Sequence, residues 1–274
     1  MTEPQVASSD ATNIQMRIKR DGGEWVLNGR KWFITGAMNQ RSKILIVMGK
    51  SDPENANRHK QQTQILVPKD TKGVNLIRPL TTLGYDDAPF GHAEIVFDDV
   101  RVPLENALLG EGRGFEIAQG RLGPGRMHHC MRLIGIAQRS LELACKRVQQ
   151  RTTFGRPLEK HQSVRENIAK CFSEIEMARL LVLKTSQCMD DVGAQASRDM
   201  IAATKTSVPI MVQTIIDRCM QMHGAGGLTE DYFMAEGFNY ARWCRQADGP
   251  DEVHQMALGK MVIQRFGDVA VDGT

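Results

Sequence analysis

Asp248 stands immediately before Gly249-Pro250-Asp251-Glu252, a helix start with proline at its first position and acids in its first turn. A carboxylate at such a corner has the chemistry of a general base, whereas composition by itself favours a turn residue serving the Gly-Pro bend. A second cluster, Ser8-Ser9-Asp10-Ala11-Thr12-Asn13, sets short hydroxyls and backbone donors ahead of the first strand pattern. It suits the edge of a polar ring or a phosphate, and equally an Asx or Ser/Thr turn that only starts a strand. His128, His129 and Cys130 are metal-binding types, but neighbours on a helix project about 100° apart and share a tetrahedral site poorly, so no metal is expected. Gly224-Ala225-Gly226-Gly227 follows a helical pattern and does not spell GxGxxG, which disfavours a nicotinamide site. With no GxSxG elbow, a hydrolase lacks its nucleophile.

The elements that must position these residues fall into two halves. Ile14, Met16 and Ile18 alternate with polar neighbours, Asp21-Gly22-Gly23 turns the chain into Trp25-Val26-Leu27, and Asn28-Gly29 is expected to turn it again. Further short apolar runs at 44–48, 65–68, 74–77 and 94–97 continue a strand meander, and the polar stretch 51–60 reads as an exposed loop. From Gly114 the period changes: Ile168, Phe172, Ile175, Ala178 and Val182 step by three or four, as do Leu133, Ile136 and Ser140. Helices are expected at roughly 114–149, 161–190, 196–224 and 250–266. The fold class is therefore α+β, an antiparallel β-barrel or sandwich over 1–107 followed by an all-α four-helix bundle over 108–274. Strands before helices, without alternation, argue against a Rossmann fold.

With 41% hydrophobic and 24% charged residues the chain has an ordinary globular composition and is long enough for one large domain or two. A net charge of +3, with basic and acidic residues interleaved, makes nucleic acid a poor partner. Cys130, Cys145, Cys171, Cys188, Cys219 and Cys244 are scattered through helical patterns without a CxxC pair, which fits reduced core thiols in a reducing compartment. Neither a signal peptide nor an integral membrane segment is expected.

Met1-Thr2-Glu3-Pro4 with Ser8-Ser9-Asp10, then Lys31-Trp32-Phe33-Ile34-Thr35-Gly36, Arg151-Thr152-Thr153-Phe154-Gly155-Arg156-Pro157-Leu158, Gln162 and Gln221-Met222-His223-Gly224-Ala225-Gly226-Gly227 occur in an order and spacing that resemble the acyl-CoA dehydrogenases over almost the whole chain. Arg121-Leu122-Gly123-Pro124-Gly125-Arg126-Met127-His128-His129-Cys130 and Ala247-Asp248-Gly249-Pro250-Asp251-Glu252-Val253-His254 are similar to one subgroup, family members ten and eleven. The resemblance begins at the first strand of the family's middle barrel. The helical domain that precedes it there, and part of the acyl-chain pocket with it, is expected to be missing.

The resemblance implies an FAD-dependent enzyme of fatty-acid β-oxidation, a homodimer or homotetramer that takes an acyl-CoA to its trans-2-enoyl-CoA and passes electrons to electron-transfer flavoprotein. Its location would be mitochondrial or peroxisomal in a eukaryote and cytoplasmic in a bacterium. The chemistry removes the α-proton to a base while a hydride leaves the β-carbon for the flavin. By position, Asp248 matches the base, in place of the more usual glutamate, with a side chain one methylene shorter. Thr2, Ile34 and Thr35 match the flavin-ring contacts, and Phe33 matches the aromatic that covers the ring, with strand core as its ordinary alternative. Trp32, one residue earlier in a strand, is expected to face the other way. Ser9 resembles a hydroxyl shared between flavin and the pantetheine arm; Gly123, Pro124, Gly125 and Arg126 resemble a turn that meets the acyl-CoA, and Arg126 also suits an internal ion pair.

Arg151, Phe154 and Gln162 match the group that binds the adenosine diphosphate half of a neighbouring subunit's FAD, with residue types suited to a pyrophosphate and an adenine. Gln221, Met222, His223, Gly224 and Ala225 match a helix end that approaches the same cofactor, and its glycines also suit a plain C-cap. Gly249 leaves room for the thioester, and Pro250, Asp251 and Glu252 resemble a segment returning to the flavin. Two other functions fit the same resemblance: an acyl-CoA oxidase that passes electrons to oxygen, and a non-catalytic oligomerisation scaffold.

Overall fold

The computed structural model describes residues 1–267, and the chain divides into two compact units, Met1–Arg121 and a second that begins at Leu122. In the first unit β1 (Arg17–Asp21) and β2 (Glu24–Thr35) form a hairpin turned at Gly22, whose φ of 60° lies in the left-handed region that glycine enters without penalty. β3 (Ile44–Lys50), β4 (Gln62–Pro68), β5 (Val74–Leu80) and β6 (His92–Pro103) complete a sheet in the order β4-β3-β1-β2-β6-β5. Every pairing is antiparallel except β1 with β3, which run parallel where Arg17 meets Lys50, so the sheet is mixed.

Alternation decides the buried face. Ile14, Met16 and Ile18 all point inward, and Met16 and Ile18 pack with Trp25, Leu27, Val47, Ile65, Val67, Ile95 and Val100 into one core. Trp25 also donates its indole N–H to the Leu104 carbonyl at 3.1 Å. Asn28-Gly29 does not turn the chain: β2 runs straight through it, and the pairing with β6 shifts register between Leu27 and Gly29. Gly29 is needed for close packing, because a Cβ there would lie 2.8 Å from Met16 Cγ, and Asn28 accepts the Asp99 N–H at 2.9 Å.

The second unit is helical. α1 (Gly114–Gln150) starts in the first unit and continues into the second; α2 (Gln162–Val192), α3 (Arg198–His223) and α5 (Asp251–Phe266) match the expected long segments. A fifth helix, α4 (Met234–Cys244), was not legible in the periodicity, since aromatic residues and Gly237 give it poor intrinsic propensity. Gly237 is required by packing: a Cβ would lie 2.9 Å from Ile136 Cγ2 of α1. Leu133, Ile134, Ala137, Ile175, Val182, Val208, Val212, Ile215 and Ile216 form the core of this unit, each of the larger ones contributing about 1.5–3 kcal/mol by burial. Among the described residues no helix is long and apolar enough to cross a membrane.

Candidate active site

Asp248 occupies the corner between α4 and α5, with a left-handed φ of 56°. Its backbone is clamped from two helices. The carbonyl oxygen accepts from Arg126 Nε on α1 at 3.0 Å and lies 3.2 Å from His254 Nε2 on α5. Beneath the corner Lys205, wholly buried on α3, donates to the carbonyls of Cys244 at 2.5 Å and Gly249 at 3.3 Å. The carboxylate itself meets a second histidine, with Oδ2 3.4 Å from His129 Nε2.

Burial alone would push the Asp248 carboxyl up. The hydrogen bond from His129 and the charges of Arg126 and Lys205 outweigh it, holding the group below the usual carboxylate range and ionised at neutral pH. In His254 burial prevails: desolvation and then the Arg126 charge lower it to about 4 against the opposing pull of its hydrogen bond to the Asp248 carbonyl, so it is a neutral ring that donates to that oxygen.

The start of α5 differs in detail from the sequence reading. Pro250 is the N-cap and Asp251 the first helical residue. Asp251 is buried and pairs through Oδ2 with Arg245 Nε at 2.7 Å, while its Oδ1 is buried without a hydrogen-bond partner. Glu252 is exposed. Gly249 leaves room for a protein group, since a Cβ there would lie 2.8 Å from His254 Nε2.

Gly123, Pro124 and Gly125 do not form a turn. They lie inside α1, and Pro124, whose missing N–H ordinarily ends a helix, is accommodated in a continuous span. Gly123 and Gly125 are buried, Gly123 with its Cβ direction 3.5 Å from Ala194 Cβ, which gives it a packing role. Among the described residues Arg126 makes no ion pair with a helix carboxylate: its Nε serves the Asp248 backbone. His128, His129 and Cys130 diverge, with Cys130 buried and its thiol directed at the Thr204 carbonyl. Sequence reasoning missed His129, Lys205 and His254 as neighbours of Asp248; the spacing Arg126–His129, one helical turn apart on a common face, was the available signal.

Two further groups in the second unit lie at a hairpin and at a helix end. β7 (Thr152–Thr153) and β8 (Arg156–Pro157) form a two-residue hairpin whose tip, Phe154 and Gly155, has φ values of 49° and 75°. A bulky residue in that region is strained, and Phe154 is 95% exposed at the turn. Arg151 and Gln162 flank it, both exposed, with Gln162 donating to Glu166 at 2.8 Å. At the end of α3, Gln221 is exposed and Met222 and His223 are buried. His223 Nδ1 donates to the Cys219 carbonyl at 2.7 Å, which leaves Nε2 as a buried acceptor without a partner. Gly224 closes the helix at φ 64° with open space where its Cβ would stand, so torsion and not close approach requires glycine there, and Ala225 beside it is exposed.

In the first unit the N-terminal segment pairs with β2 at a bulge. Thr2 Oγ1 donates to the Trp32 carbonyl and the Thr2 carbonyl accepts the Trp32 N–H at 3.1 Å. The register of β2 on β6 shifts between Lys31 and Ile34, and Phe33 takes a φ of 52°. Alternation therefore fails there: Trp32 and Phe33 do not oppose each other but touch edge to face at 5.0 Å, and Phe33 is 41% exposed, which excludes strand core. Thr2, Phe33, Ile34 and Thr35 are thus gathered around one bulge. Thr35 Oγ1 lies 3.1 Å from His92 Nδ1, and His92 Nε2 lies 3.5 Å from Asp87 Oδ2, a link through the buried His92 that the sequence did not reveal. Ser9 is exposed, while the neighbouring Ser8 caps the turn by accepting the Glu3 N–H at 3.0 Å.

Residues 1–100 match the acyl-CoA dehydrogenase middle domain and residues 112–263 the acyl-CoA dehydrogenase C-terminal domain. A mixed sheet followed by a helical unit with a carboxylate at the α4–α5 corner is thus an oxidoreductase scaffold, and the chain belongs to the acyl-CoA dehydrogenase family. It is 53% identical over 264 residues to acyl-CoA dehydrogenase family member 10 of Mus musculus, covering 96% of this chain and 25% of that protein. It is also 53% identical over 261 residues to family member 11 of Gallus gallus, covering 95% of this chain and 34% of that protein. A solved structure from Mycobacterium abscessus, assigned as an acyl-CoA dehydrogenase, superposes with a TM-score of 0.94 at 46% identity, covering 97% of this chain and 65% of that one. The chain therefore spans a quarter to a third of these curated relatives.

Proposed function

We propose that this chain carries the flavin-binding and proton-abstracting parts of an FAD-dependent acyl-CoA dehydrogenase that forms a trans-2-enoyl-CoA and passes electrons to an electron-transfer flavoprotein. The observation that carries the reading is Asp248: an ionised, largely buried carboxylate on a backbone fixed by Arg126 and His254. Its task is to take the α-proton of the thioester. Substrate that covers the corner adds to burial, the contribution that already pushes this carboxyl up, and so makes the aspartate a stronger base when it is needed. A backbone N–H near Asp248 would steady the thioester oxygen as that proton leaves. Of the substrate contacts the resemblance implies, Ser9 and Pro124 are exposed and Arg126 acts at least through the Asp248 backbone, while Gly123 and Gly125 are buried within α1 and Gly249 faces His254.

FAD, when bound, supplies the acceptor for the hydride leaving the β-carbon. The residues fit it. Thr2, Phe33, Ile34 and Thr35 offer an aromatic face with hydroxyl and backbone donors for the ring; Phe154, strained and exposed, offers a face for an adenine, with Arg151 and Gln162 for polar contacts beside it. The orphaned Nε2 of His223 accepts a hydrogen bond from a polar ligand at the end of α3, where Gln221, Met222, Gly224 and Ala225 lie, and Pro250, Asp251 and Glu252 offer a further edge. The contacts at Arg151, Phe154 and Gln162 are those of a homo-oligomer.

The purified chain is expected to be yellow and to bleach anaerobically on addition of an acyl-CoA. Asp248→Asn is expected to slow that bleaching by about 100-fold or more. A wild-type rate in the variant removes Asp248 as the base; peroxide released on substrate addition identifies an oxidase, and assembly without any uptake of FAD identifies a scaffold.

A further inference from the structure

We propose that His129 is a positioning residue for the Asp248 carboxylate, an inference that rests on Asp248 being the base. The imidazole is held on its far side. Nδ1 lies 3.1 Å from Tyr240 Oη, 3.4 Å from Arg132 Nη2 and 3.8 Å from Cys244 Sγ, and the ring stands edge to face with Trp243 at 5.6 Å. A guanidinium only donates, so Nδ1 turns a lone pair to Arg132 and the ring proton sits on Nε2. That proton points at Asp248 Oδ2, 3.4 Å away.

The clamps on the Asp248 carbonyl fix its Cα but leave its side-chain torsions free. His129 supplies the missing restraint. It engages one carboxylate oxygen, and among the described residues Oδ1 has no hydrogen-bond partner, so the group accepts a proton from one side only. Such an arrangement converts a mobile carboxylate into a directed one, the form that proton transfer from carbon requires. The charged and titratable groups facing this pair are Arg126 and Arg132 on α1, Lys205 on α3, Tyr240 and Cys244 on α4 and His254 on α5.

The test is a carbon-13 NMR titration of the aspartate carboxyls in the flavin-loaded chain, with the Asp248 signal assigned by its absence from Asp248→Asn. Loss of the donor in His129→Leu is expected to raise the Asp248 midpoint by about one pH unit, and His129→Gln, whose amide reaches as far as Nε2, to restore most of the shift. Wash-out of the α-proton of bound acyl-CoA into heavy water is expected to slow roughly tenfold in His129→Leu and to recover in His129→Gln. An unchanged midpoint in His129→Leu overturns the role of His129 while leaving Asp248 as the base; unchanged wash-out in Asp248→Asn overturns the base itself. If His129→Leu does not fold, His129→Gln against His129→Asn decides, because only the longer amide reaches Oδ2, and equal midpoints in the two overturn the proposal.

Discussion

His254 ties the pH dependence of stability to the architecture of the corner. It is 7% exposed and its pKa is lowered to about 4, mainly by burial, from an ordinary value near 6.5. Between those values the unfolded chain holds a proton that the folded chain lacks, so stability falls as the pH drops through that window and is level above it. The loss is about 3 kcal/mol at most. The depressed Asp248 has the same sign lower down, its contribution disappearing as the carboxylate protonates in the folded chain below the ordinary carboxylate range. Urea denaturation midpoints at pH 7 and pH 4.5 are expected to differ clearly in the wild type and much less in His254→Gln, which keeps a donor for the Asp248 carbonyl but no longer titrates. An equal loss in both proteins would assign the acid sensitivity to other groups.

The β7–β8 hairpin is a short element with a single exposed purpose. Phe154 at its tip is 95% exposed on a left-handed backbone, so replacing it removes nothing from either core. Phe154→Ala is expected to leave the thermal midpoint within a degree or two of the wild type while weakening FAD retention by about 1–3 kcal/mol, the range for stacking of a base on an aromatic ring. Equilibrium dialysis of FAD against both proteins measures it, and equal retention would assign the phenylalanine to a protein contact. At this scale the sequence was readable where periodicity is strong: the inward row Ile14, Met16, Ile18 and the long helices α1, α2, α3 and α5 all follow from spacing. It was unreadable where tertiary packing overrides local preference. Asn28-Gly29 has the composition of a hairpin turn but sits inside β2 because Met16 packs against the glycine, and Gly123-Pro124-Gly125 has the composition of a break but lies within α1. The bulge that brings Trp32 and Phe33 together lacks any local signature, and no spacing or motif joins Lys205 to Asp248, which only the packing of α3 beneath the corner accomplishes.

Among the described residues the two large cores share no residue, one within the sheet and one among the helices, and a small third cluster gathers Ile14, Met48 and Ala118. Each unit is large enough to bury a core of its own. Of the three tryptophans, Trp25 and Trp32 lie in the first unit and Trp243 in the second. In Trp243→Phe the fluorescence reports the sheet unit alone, while far-UV circular dichroism is dominated by the helices. The two transitions in guanidinium are expected not to coincide; coincident curves would show that both cores melt as one cooperative body.

The left-handed torsion at Asp248 bears on which carboxylic acid the corner tolerates. Aspartate and asparagine enter that region more readily than other non-glycine residues, because a short polar side chain finds local hydrogen bonds there. A glutamate would extend the arm by one carbon but give up this preference, and its longer chain would have to fold back past the imidazole that now meets Oδ2. Exchanging the two acids therefore changes backbone cost, reach and aim at once, and the usual assumption that they are near-equivalents fails at this position.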